Sequence, residues 1–193
     1  MNTNLAYRLE HEVEIIGGQV VMMAPPLTRH TRTERNLAWI FERYLRGRTC
    51  EYFLETGLFL QEDQEEYIPD GIVVCDPEKV RDRGIYGAPD LVIEILSLST
   101  ASYDRGHKMK AYEAAGVREY WIVDPLYKTV EQYVLTDGAF VLAGFSALHP
   151  EDDLGRLKRE ELEKKLAEFP REFRCSLFDD LVIRLEDVFY RVQ

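Results

Sequence analysis

The 193-residue chain has few cysteines, no long hydrophobic run and no surplus of positive charge. Its three cysteines, Cys50, Cys75 and Cys175, are an odd number and lie far apart in the sequence, which argues against a disulfide framework. No CxxC pair is present, so nothing in the cysteine spacing indicates a zinc site. We therefore expect reduced, mostly buried thiols in a cytoplasmic protein.

The hydrophobic segments that mark membrane or secreted proteins are also missing. No apolar run approaches the roughly 20 residues that span a bilayer. The first residues have no basic start followed by an apolar block, so we expect no secretory signal and no contact with a membrane. The 46% hydrophobic and 11% aromatic content is that of a globular protein. The length fits one domain, which we take as 1–193.

The charge balance is acidic overall but not locally. The 24 Lys and Arg against 35 Asp and Glu give a net charge of −11, which disfavours nonspecific adhesion to nucleic acid or to an anionic membrane. A strongly acidic site could instead recruit divalent cations. Between Arg29 and Arg48, however, six arginines stand against two glutamates. Three of them, Arg29, Arg32 and Arg35, are candidates for phosphate contacts around the mouth of an active site; the alternative is a solvated helix face.

The pattern of apolar residues predicts alternating strands and helices. Two β-rich runs flank Gly17-Gly18 and predict a hairpin, and a second hairpin is predicted around Thr136-Asp137-Gly138. Residues 31–45 and 104–115 have helical spacing. Residues 61–66 are predicted to be a solvated turn, and residues 76–88 a loop that could contain one helical turn. Further short strands are predicted at residues 50–54, 58–60, 68–75, 91–96 and 119–123. A strand–helix–strand crossover between β-rich flanks predicts an α/β fold with a mixed sheet.

A carboxylate lies in the middle of the most apolar of these strands. In the segment PDLVIEILS, every residue between Asp90 and Ser97 except Glu94 is aliphatic. An unpaired buried carboxylate is costly, so Glu94 must be neutral, paired or bound to a cation. Side chains alternate along a strand, and Glu94 therefore shares a face with Val92 and Leu96. The simplest alternative to a functional role is pairing with an arginine in the core.

A second carboxylate, Asp70, follows Pro69 and opens another apolar strand. It could be only a turn residue. If the two strands are neighbours, however, Asp70 and Glu94 approach each other, and two close carboxylates do not both stay ionised cheaply without a cation. Oxygen ligands with open coordination positions favour Mg²⁺ or Mn²⁺.

Two helices could bring further polar groups to these carboxylates. Asp104, Lys108 and Tyr112 are spaced by four residues and share one helix face, so Lys108 could point toward Glu94; the alternative is a surface lysine. On the first helix, His30 and Glu34 continue an apolar stripe toward the N-terminus. Glu34 could approach a metal ion, or it could simply favour the first turn of the helix.

In their order and spacing, these segments resemble the Uma-two family, a restriction-endonuclease-like branch of the PD-(D/E)XK nucleases. The resemblance runs from about Glu14 to Val188. It is carried by GGQVVMMAPP followed by His30, Pro69-Asp70, PDLVIEILS with Ser99-Thr100, Asp104 to Tyr112, and GVREYWIVDP.

The resemblance implies a restriction-endonuclease-like core in which a mixed sheet is flanked by helices, with N-terminal and C-terminal β-hairpin additions. It matches Asp70 and Glu94 to the metal-binding carboxylates and Lys108 to the catalytic amine. The superfamily's usual lysine would be residue 96, which is Leu96 here. His30, Glu34, Asp104 and Tyr112 are implied as supporting residues. Pro89-Asp90 has the letters of the motif but precedes Glu94 on the same strand, and is taken as a decoy.

The implied activity is Mg²⁺- or Mn²⁺-dependent hydrolysis of phosphodiester bonds in nucleic acid, with DNA favoured. By analogy, cutting two strands is consistent with a homodimer. One alternative is a catalytically silent module that binds nucleic acid or protein on the same fold. Another is a metal-dependent hydrolase of a small phosphate ester. The charged helix at 156–169 is expected to be peripheral, either as an oligomerisation arm or packed on its own domain.

Overall fold

The computed structural model of the protein describes residues 13–22, 25–61, 64–98, 100–148, 157–168 and 170–193. Residues 1–12, 23–24, 62–63, Ser99, Arg156 and Phe169, which enter the predictions above, lie outside this description. None of the helices in the described ranges is both long and apolar enough to cross a membrane.

A six-stranded mixed sheet forms the centre of the protein. Its strand order is β12-β11-β10-β9-β6-β3, and only the β9–β10 pair within it is parallel. The strands are β3 (Glu51–Phe53), β6 (Gly71–Val74), β9 (Leu91–Ile95), β10 (Glu119–Asp124), β11 (Thr129–Thr136) and β12 (Ala139–Ala147). All residues of β6 and β9 are buried, as expected for strands covered on both faces.

A second sheet of six shorter strands lies against part of the first. Its order is β2-β1-β5-β4-β8-β7, and its strands are β1 (Val13–Ile16), β2 (Gln19–Met22), β4 (Leu58–Gln61), β5 (Glu65–Tyr67), β7 (Val80–Arg81) and β8 (Gly84–Tyr86). The predicted N-terminal hairpin is present as β1 and β2. Its turn residues, Gly17 and Gly18, have φ of 58° and 76°, which glycine adopts without strain.

The helices cover the sheets. The long helix α1 (Thr28–Leu45) precedes β3, and the crossover from β9 to β10 contains α2 (Ala101–Tyr103), a π-helical turn (Asp104–Lys108) and α3 (Met109–Ala115). Gly116 ends α3 in the left-handed region with φ of 88°. The C-terminal part contributes α4 (Arg159–Glu168), the strands β13 (Glu172–Arg174) and β14 (Val182–Arg184), and α5 (Leu185–Val188).

Two hydrophobic clusters lie on opposite faces of the central sheet. Leu37 and Phe41 of α1 and the C-terminal residues pack on one face, against Ile93 and Trp121. The second sheet and α3 pack on the other, against Val92 and Leu96 among others. The predicted mixed α/β fold is thus confirmed. Glu94 points to the second of these faces, on the same side as α3, because it alternates with Ile93 and Ile95.

Three predictions about local structure are wrong. The described part of 61–66 is not simply a turn, because Gln61 ends β4 and Glu65 begins β5, which pairs with both β1 and β4. Residues 76–88 contain the helical turn that the prediction allowed, at Pro77–Lys79, but the rest is not simply a loop because it contains β7 and β8. The strands β5, β7 and β8 are two or three residues long, too short to show an alternating pattern.

The cysteine prediction is the third correction. Cys50 and Cys75 form a disulfide, with Cα atoms 3.9 Å apart, and only Cys175 is a free, buried thiol. The two cysteines are 25 residues apart in sequence, but β3 and β6 are antiparallel and pair Glu51 with Val74. Cys50 and Cys75 are the next residues beyond this pair, so the register of β3 and β6 places them opposite each other. That register cannot be read from the sequence. The disulfide also weakens the inference from the cysteines to a cytoplasmic location.

Candidate active site

A pocket of about 290 Å³ opens where β9, the start of β6, α1 and the π-helical turn meet. Four of the predicted site residues line it: His30, Asp70, Glu94 and Lys108. Leu98, which is 89% exposed, forms part of its apolar rim. The pocket thus joins groups from four separate parts of the chain.

The register between β6 and β9 brings the two predicted metal ligands together. Gly71 pairs with Ile93 in the antiparallel ladder, so the next residue on each strand, Asp70 and Glu94, occupy opposite positions. Asp70 lies just outside β6, where the ladder ends at the pocket. The sequence prediction that neighbouring strands bring these carboxylates together agrees with this arrangement.

Asp70 is held by two donors. Its Oδ2 accepts a hydrogen bond from the backbone N–H of Ile95 at 2.6 Å, and its Oδ1 lies 3.2 Å from Nε2 of His30. Burial lowers the pKa of His30, but the hydrogen bond and charge of Asp70, with the charge of Glu34, outweigh it and raise that pKa above its ordinary value. His30 therefore gains proton affinity from the carboxylate that it orients.

Glu94 has two partners from the helical crossover. Its Oε1 accepts hydrogen bonds from Nζ of Lys108 at 3.2 Å and from the hydroxyl of Tyr112 at 2.7 Å. Lys108 is 1% exposed and Tyr112 is fully buried. The lysine does point from the crossover into the sheet, and the alternative of a surface lysine is wrong. Lys110, two residues further on, is exposed.

Lys108 and Asp104 both face inward from the π-helical turn. A π-turn contains an extra residue relative to an α-helix, and such turns recur at functional sites. Here Lys108 Nζ lies 3.6 Å from Asp104 Oδ1, and both side chains are buried. The four-residue spacing predicts their proximity, whereas no residue pattern indicates the π-turn.

Sequence reasoning missed Glu14, which is a direct partner of Lys108. Glu14 lies on β1, is 1% exposed, and approaches Lys108 Nζ at 2.8 Å through Oε1. The same oxygen accepts a hydrogen bond from the backbone N–H of Ile68 at 2.9 Å. The signal was present, since Glu14 interrupts the apolar run VEII as Glu94 interrupts LVIEIL.

Three carboxylates therefore surround one buried ammonium group. Burial by itself lowers the pKa of Lys108, but the charges of Glu94, Glu14 and Asp104 raise that pKa above its ordinary value. Lys108 is thus a permanent cation, which donates hydrogen bonds and does not serve as a base. Burial also raises the pKa of Glu94 well above normal and that of Asp104 to about 6, against the opposing effect of Lys108. The cluster has more acidic groups than Lys108 alone can neutralise.

Glu34 and the arginines lie further from the pocket centre. Glu34 is buried on α1 and its charge adds to the raised pKa of His30, but it does not line the pocket. None of Arg29, Arg32 and Arg35 lines the pocket either. Arg32 donates a hydrogen bond to the carbonyl of Arg191 at 2.9 Å. Arg32 and Arg35 turn toward the C-terminal segment and not toward the pocket, and the phosphate contacts of the three arginines stay a prediction.

Two other buried carboxylates have structural partners. Asp90 accepts a hydrogen bond from the N–H of Cys75 at 2.8 Å and pairs with Arg118 at 3.0 Å, as expected for a decoy of the motif. Glu119 accepts hydrogen bonds from Trp121 at 2.6 Å and from the N–H of Ser176 at 2.9 Å. Asp90 is therefore a control position for Asp70, and Glu119 is one for Glu94.

The donor set suits a hard divalent cation. Within the described ranges, no three His, Cys, Asp or Glu side chains are grouped so that they alone would hold a metal ion. Mg²⁺, however, commonly binds through one or two carboxylates and keeps several waters. Asp70 and Glu94 offer such a pair in one pocket, beside an excess of acidic groups. These residues fit a divalent cation that keeps open coordination positions for water. They do not fit a structural metal whose ligands all come from the protein.

Comparisons with known proteins agree with this fold. The model of the Uma2 family, described as "Putative restriction endonuclease", matches residues 5–163. Two proteins of Synechocystis are each 27% identical to the chain. "Uncharacterized protein sll1609" is similar over 124 residues, 62% of this chain and 70% of its own, and "Uncharacterized protein slr1290" over 143 residues, 72% and 75%.

A solved structure has the same fold over nearly the whole chain. It is described as "a putative nuclease belonging to DUF820" from Anabaena variabilis ATCC 29413. The match has a TM-score of 0.66 at 19% identity and covers 93% of this chain and 90% of that one. Together with the family match, this shared fold confirms the restriction-endonuclease-like α/β fold expected from the sequence.

Proposed function

The chain belongs to the Uma2 family of "Putative restriction endonuclease" proteins, and on that premise we propose that it is a divalent-metal-dependent nuclease that hydrolyses phosphodiester bonds in DNA. One observation supports this proposal most strongly. Asp70 and Glu94 occupy opposite positions of adjacent strands and line one pocket with the buried ammonium group of Lys108. A purely structural cluster would not need to open to solvent.

In the proposed site, Asp70 and Glu94 would hold Mg²⁺ or Mn²⁺. Such an ion, when bound, lowers the pKa of a coordinated water and offsets the negative charge that develops on phosphate. The hydrogen bond from the N–H of Ile95 fixes one oxygen of Asp70. His30, whose pKa is raised by Asp70, orients the other oxygen of that carboxylate.

Lys108 supplies the fixed positive charge of the proposed mechanism. Because the surrounding carboxylates keep it protonated, it can donate a hydrogen bond to a phosphate oxygen or to the attacking water, but it cannot remove a proton. A preorganised donor in a buried site stabilises developing charge more than it would in water. Lys108 would replace the superfamily's usual lysine, whose position is taken by the buried Leu96.

Three residues position Lys108 and Glu94 in this proposal. Tyr112 donates a hydrogen bond to Glu94, and Glu14 and Asp104 contact Lys108 on other sides. Glu34 acts at longer range, through its charge on His30.

We also propose a single domain over 1–193, with α4 as a peripheral helix. The two hydrophobic clusters share the central sheet, which supports one folding unit. Cutting both strands of a duplex would take two active sites, so a homodimer is part of the proposal.

The test is cleavage of DNA by the purified protein. With Mg²⁺ or Mn²⁺ we expect nicking of a supercoiled plasmid, because the cation completes the site, and with excess EDTA we expect none. Single-stranded DNA, RNA and a chromogenic small phosphate ester are assayed under the same conditions. Hydrolysis of the small ester alone would replace the nuclease proposal, and no hydrolysis of any substrate with either ion would favour the silent binding module.

A further inference from the structure

A second concave surface lies between α1 and the C-terminal segment. It has a volume of about 530 Å³ and is lined by Arg35, Asn36, Trp39, Asp187, Tyr190 and Arg191. We call this surface the aromatic groove. None of its lining residues belongs to the pocket that contains Asp70 and Glu94.

The aromatic groove is held in place by a buried amide. Asn36 is 8% exposed, and its Nδ2 donates hydrogen bonds to the carbonyls of Val188 at 3.0 Å and Tyr190 at 2.9 Å. Arg32 adds its hydrogen bond to the carbonyl of Arg191. The C-terminal segment is therefore fixed against α1, and the groove is a preformed feature of the fold.

Two large aromatic side chains stay exposed in this groove. Trp39 is 59% and Tyr190 is 57% exposed, although most aromatic residues of the chain are packed in the two clusters. Each is accompanied by a guanidinium group, Arg43 at 4.6 Å from the centre of the Trp39 ring and Arg191 at 5.4 Å from that of Tyr190. These contacts stiffen the rings and leave much of their surface free for another flat group.

The charge of the groove is opposite to that of the whole chain. Among its lining residues, Arg35 and Arg191 stand against the single carboxylate of Asp187, and Arg32 and Arg43 contact its backbone and the Trp39 ring from outside that lining. The chain as a whole carries −11. A local excess of arginine beside exposed aromatic rings is complementary to a ligand that has both phosphates and flat bases.

We infer that the aromatic groove binds single-stranded nucleic acid, with a base stacked on Trp39 or Tyr190 and phosphates paired with the arginines. Aromatic rings can stack on bases only when the bases are unpaired, so the single strand is favoured over the duplex. The inference deepens the proposed nuclease function and rests on it.

The groove and the pocket share one helix. His30 of α1 lines the pocket, whereas Arg35 and Trp39 of the same helix line the groove. A strand held in the groove would therefore lie against the helix that also borders the proposed active site.

The first experiment uses tryptophan fluorescence of the full chain in EDTA, so that nothing is cleaved. The chain has two tryptophans, of which Trp121 is fully buried and Trp39 is exposed. We expect an oligothymidylate of about 12 nucleotides, within the usual site size for single strands, to quench the Trp39 emission. An abasic oligonucleotide of the same length carries the phosphates without the bases and should quench weakly.

The second experiment measures the dissociation constant from the anisotropy of a labelled oligothymidylate. Trp39→Ala should weaken binding roughly ten-fold, the usual effect of losing one base–aromatic stack. Arg35→Ala should weaken binding and reduce the slope of log K against log salt concentration by about 0.7. Tyr127→Ala and Arg159→Ala remove an exposed aromatic residue and an exposed arginine elsewhere, and should change neither quantity.

The outcomes separate this inference from the nuclease proposal. Suppose that the oligothymidylate binds, that Trp39→Ala abolishes this binding, and that the protein cleaves nothing with Mg²⁺. That result would support the groove and contradict the nuclease proposal. Cleavage with unchanged affinity in Trp39→Ala and Arg35→Ala would support the nuclease and overturn the groove. Equal affinity for the abasic strand, or a dimer that becomes a monomer in Trp39→Ala by light scattering, would also overturn it; the latter result would identify a self-association surface.

Discussion

Replacement of Lys108 by methionine is expected to lower the free energy of unfolding by about 3–5 kcal/mol, the usual cost of removing one partner from a buried ion pair. Methionine has a similar length but no charge, so Glu14, Glu94 and Asp104 would be left without the cation that they contact at 2.8, 3.2 and 3.6 Å. The same substitution removes the donor proposed to act on the phosphate. Equilibrium denaturation near pH 8 and the plasmid assay measure the two effects.

The chain provides a matched control and a rescue for this prediction. Lys110→Met makes the same chemical change at an exposed position of the same helical crossover and should alter neither quantity. Adding Glu14→Gln to Lys108→Met removes one uncompensated charge and should recover part of the stability without restoring cleavage. A Lys108→Met protein that is as stable and active as the wild type would show that the ammonium group has neither role.

Replacement of Glu94 by glutamine is expected to separate stability from activity. Glutamine keeps the shape of the side chain but is a poor ligand for Mg²⁺, so cleavage should fall by roughly 100-fold or more, since even residues that only support a ligand commonly cost 10–100-fold. Stability near pH 8 should be unchanged or higher, because burial raises the pKa of Glu94 and its ionised form is the costly one. Lys108 keeps Glu14 and Asp104 as partners in this variant.

Glu119→Gln is the comparison at an equally buried carboxylate. Glu119 is 0% exposed, but its oxygens accept hydrogen bonds from Trp121 and from the backbone and hydroxyl of Ser176. Hydrogen bonds to a charged group contribute about 1.5–3 kcal/mol each, so this variant should lose stability while the folded fraction stays active. If Glu94→Gln cleaved DNA at the wild-type rate, the metal-ligand role of Glu94 would be ruled out.

Glu94→Gln is also expected to change the pH dependence of stability. Glu94 and Asp104 have raised pKa values in the folded protein, about 6 for Asp104, so the folded state holds protons that the unfolded chain has already released. The free energy of unfolding should therefore decrease as the pH rises from about 4, the ordinary carboxyl pKa, through about 6. Glu94→Gln removes one of the two groups and should flatten this decrease, as denaturation at a series of pH values would measure.

Much of the site could be predicted from a few residues, because a charge inside an apolar strand is informative. Glu94 interrupts LVIEIL, and the need to compensate it led to the partner strand of Asp70 and to the helix face of Lys108. Glu14 interrupts VEII in the same way, but the local pattern indicates only that its strand is half of a hairpin. The hairpin approaches Lys108 because β1 is part of the second sheet. The strands of that sheet are too short for their residue pattern to predict this pairing.

What the sequence could not provide is pairing between distant segments. The Cys50–Cys75 disulfide depends on the β3–β6 register, and the turn of Arg32 and Arg35 toward the C-terminus depends on where the last residues pack. The hydrogen bonds from Asn36 to Val188 and Tyr190 span more than 150 residues. Local propensity contains no information about such contacts, so the aromatic groove emerges only from the fold.

The most direct measurement compares two aspartates that follow a proline in the same chain. Asp70→Asn and Asp90→Asn make the same change in Pro69-Asp70, at the pocket, and in Pro89-Asp90, which is tied to Cys75 and Arg118. With Mg²⁺, Asp70→Asn should lose plasmid nicking while Asp90→Asn keeps it, because asparagine can still accept the hydrogen bond from Cys75 and the lost pair with the largely exposed Arg118 contributes little. Equal nicking by both variants would contradict a hydrolytic centre at Asp70 and Glu94.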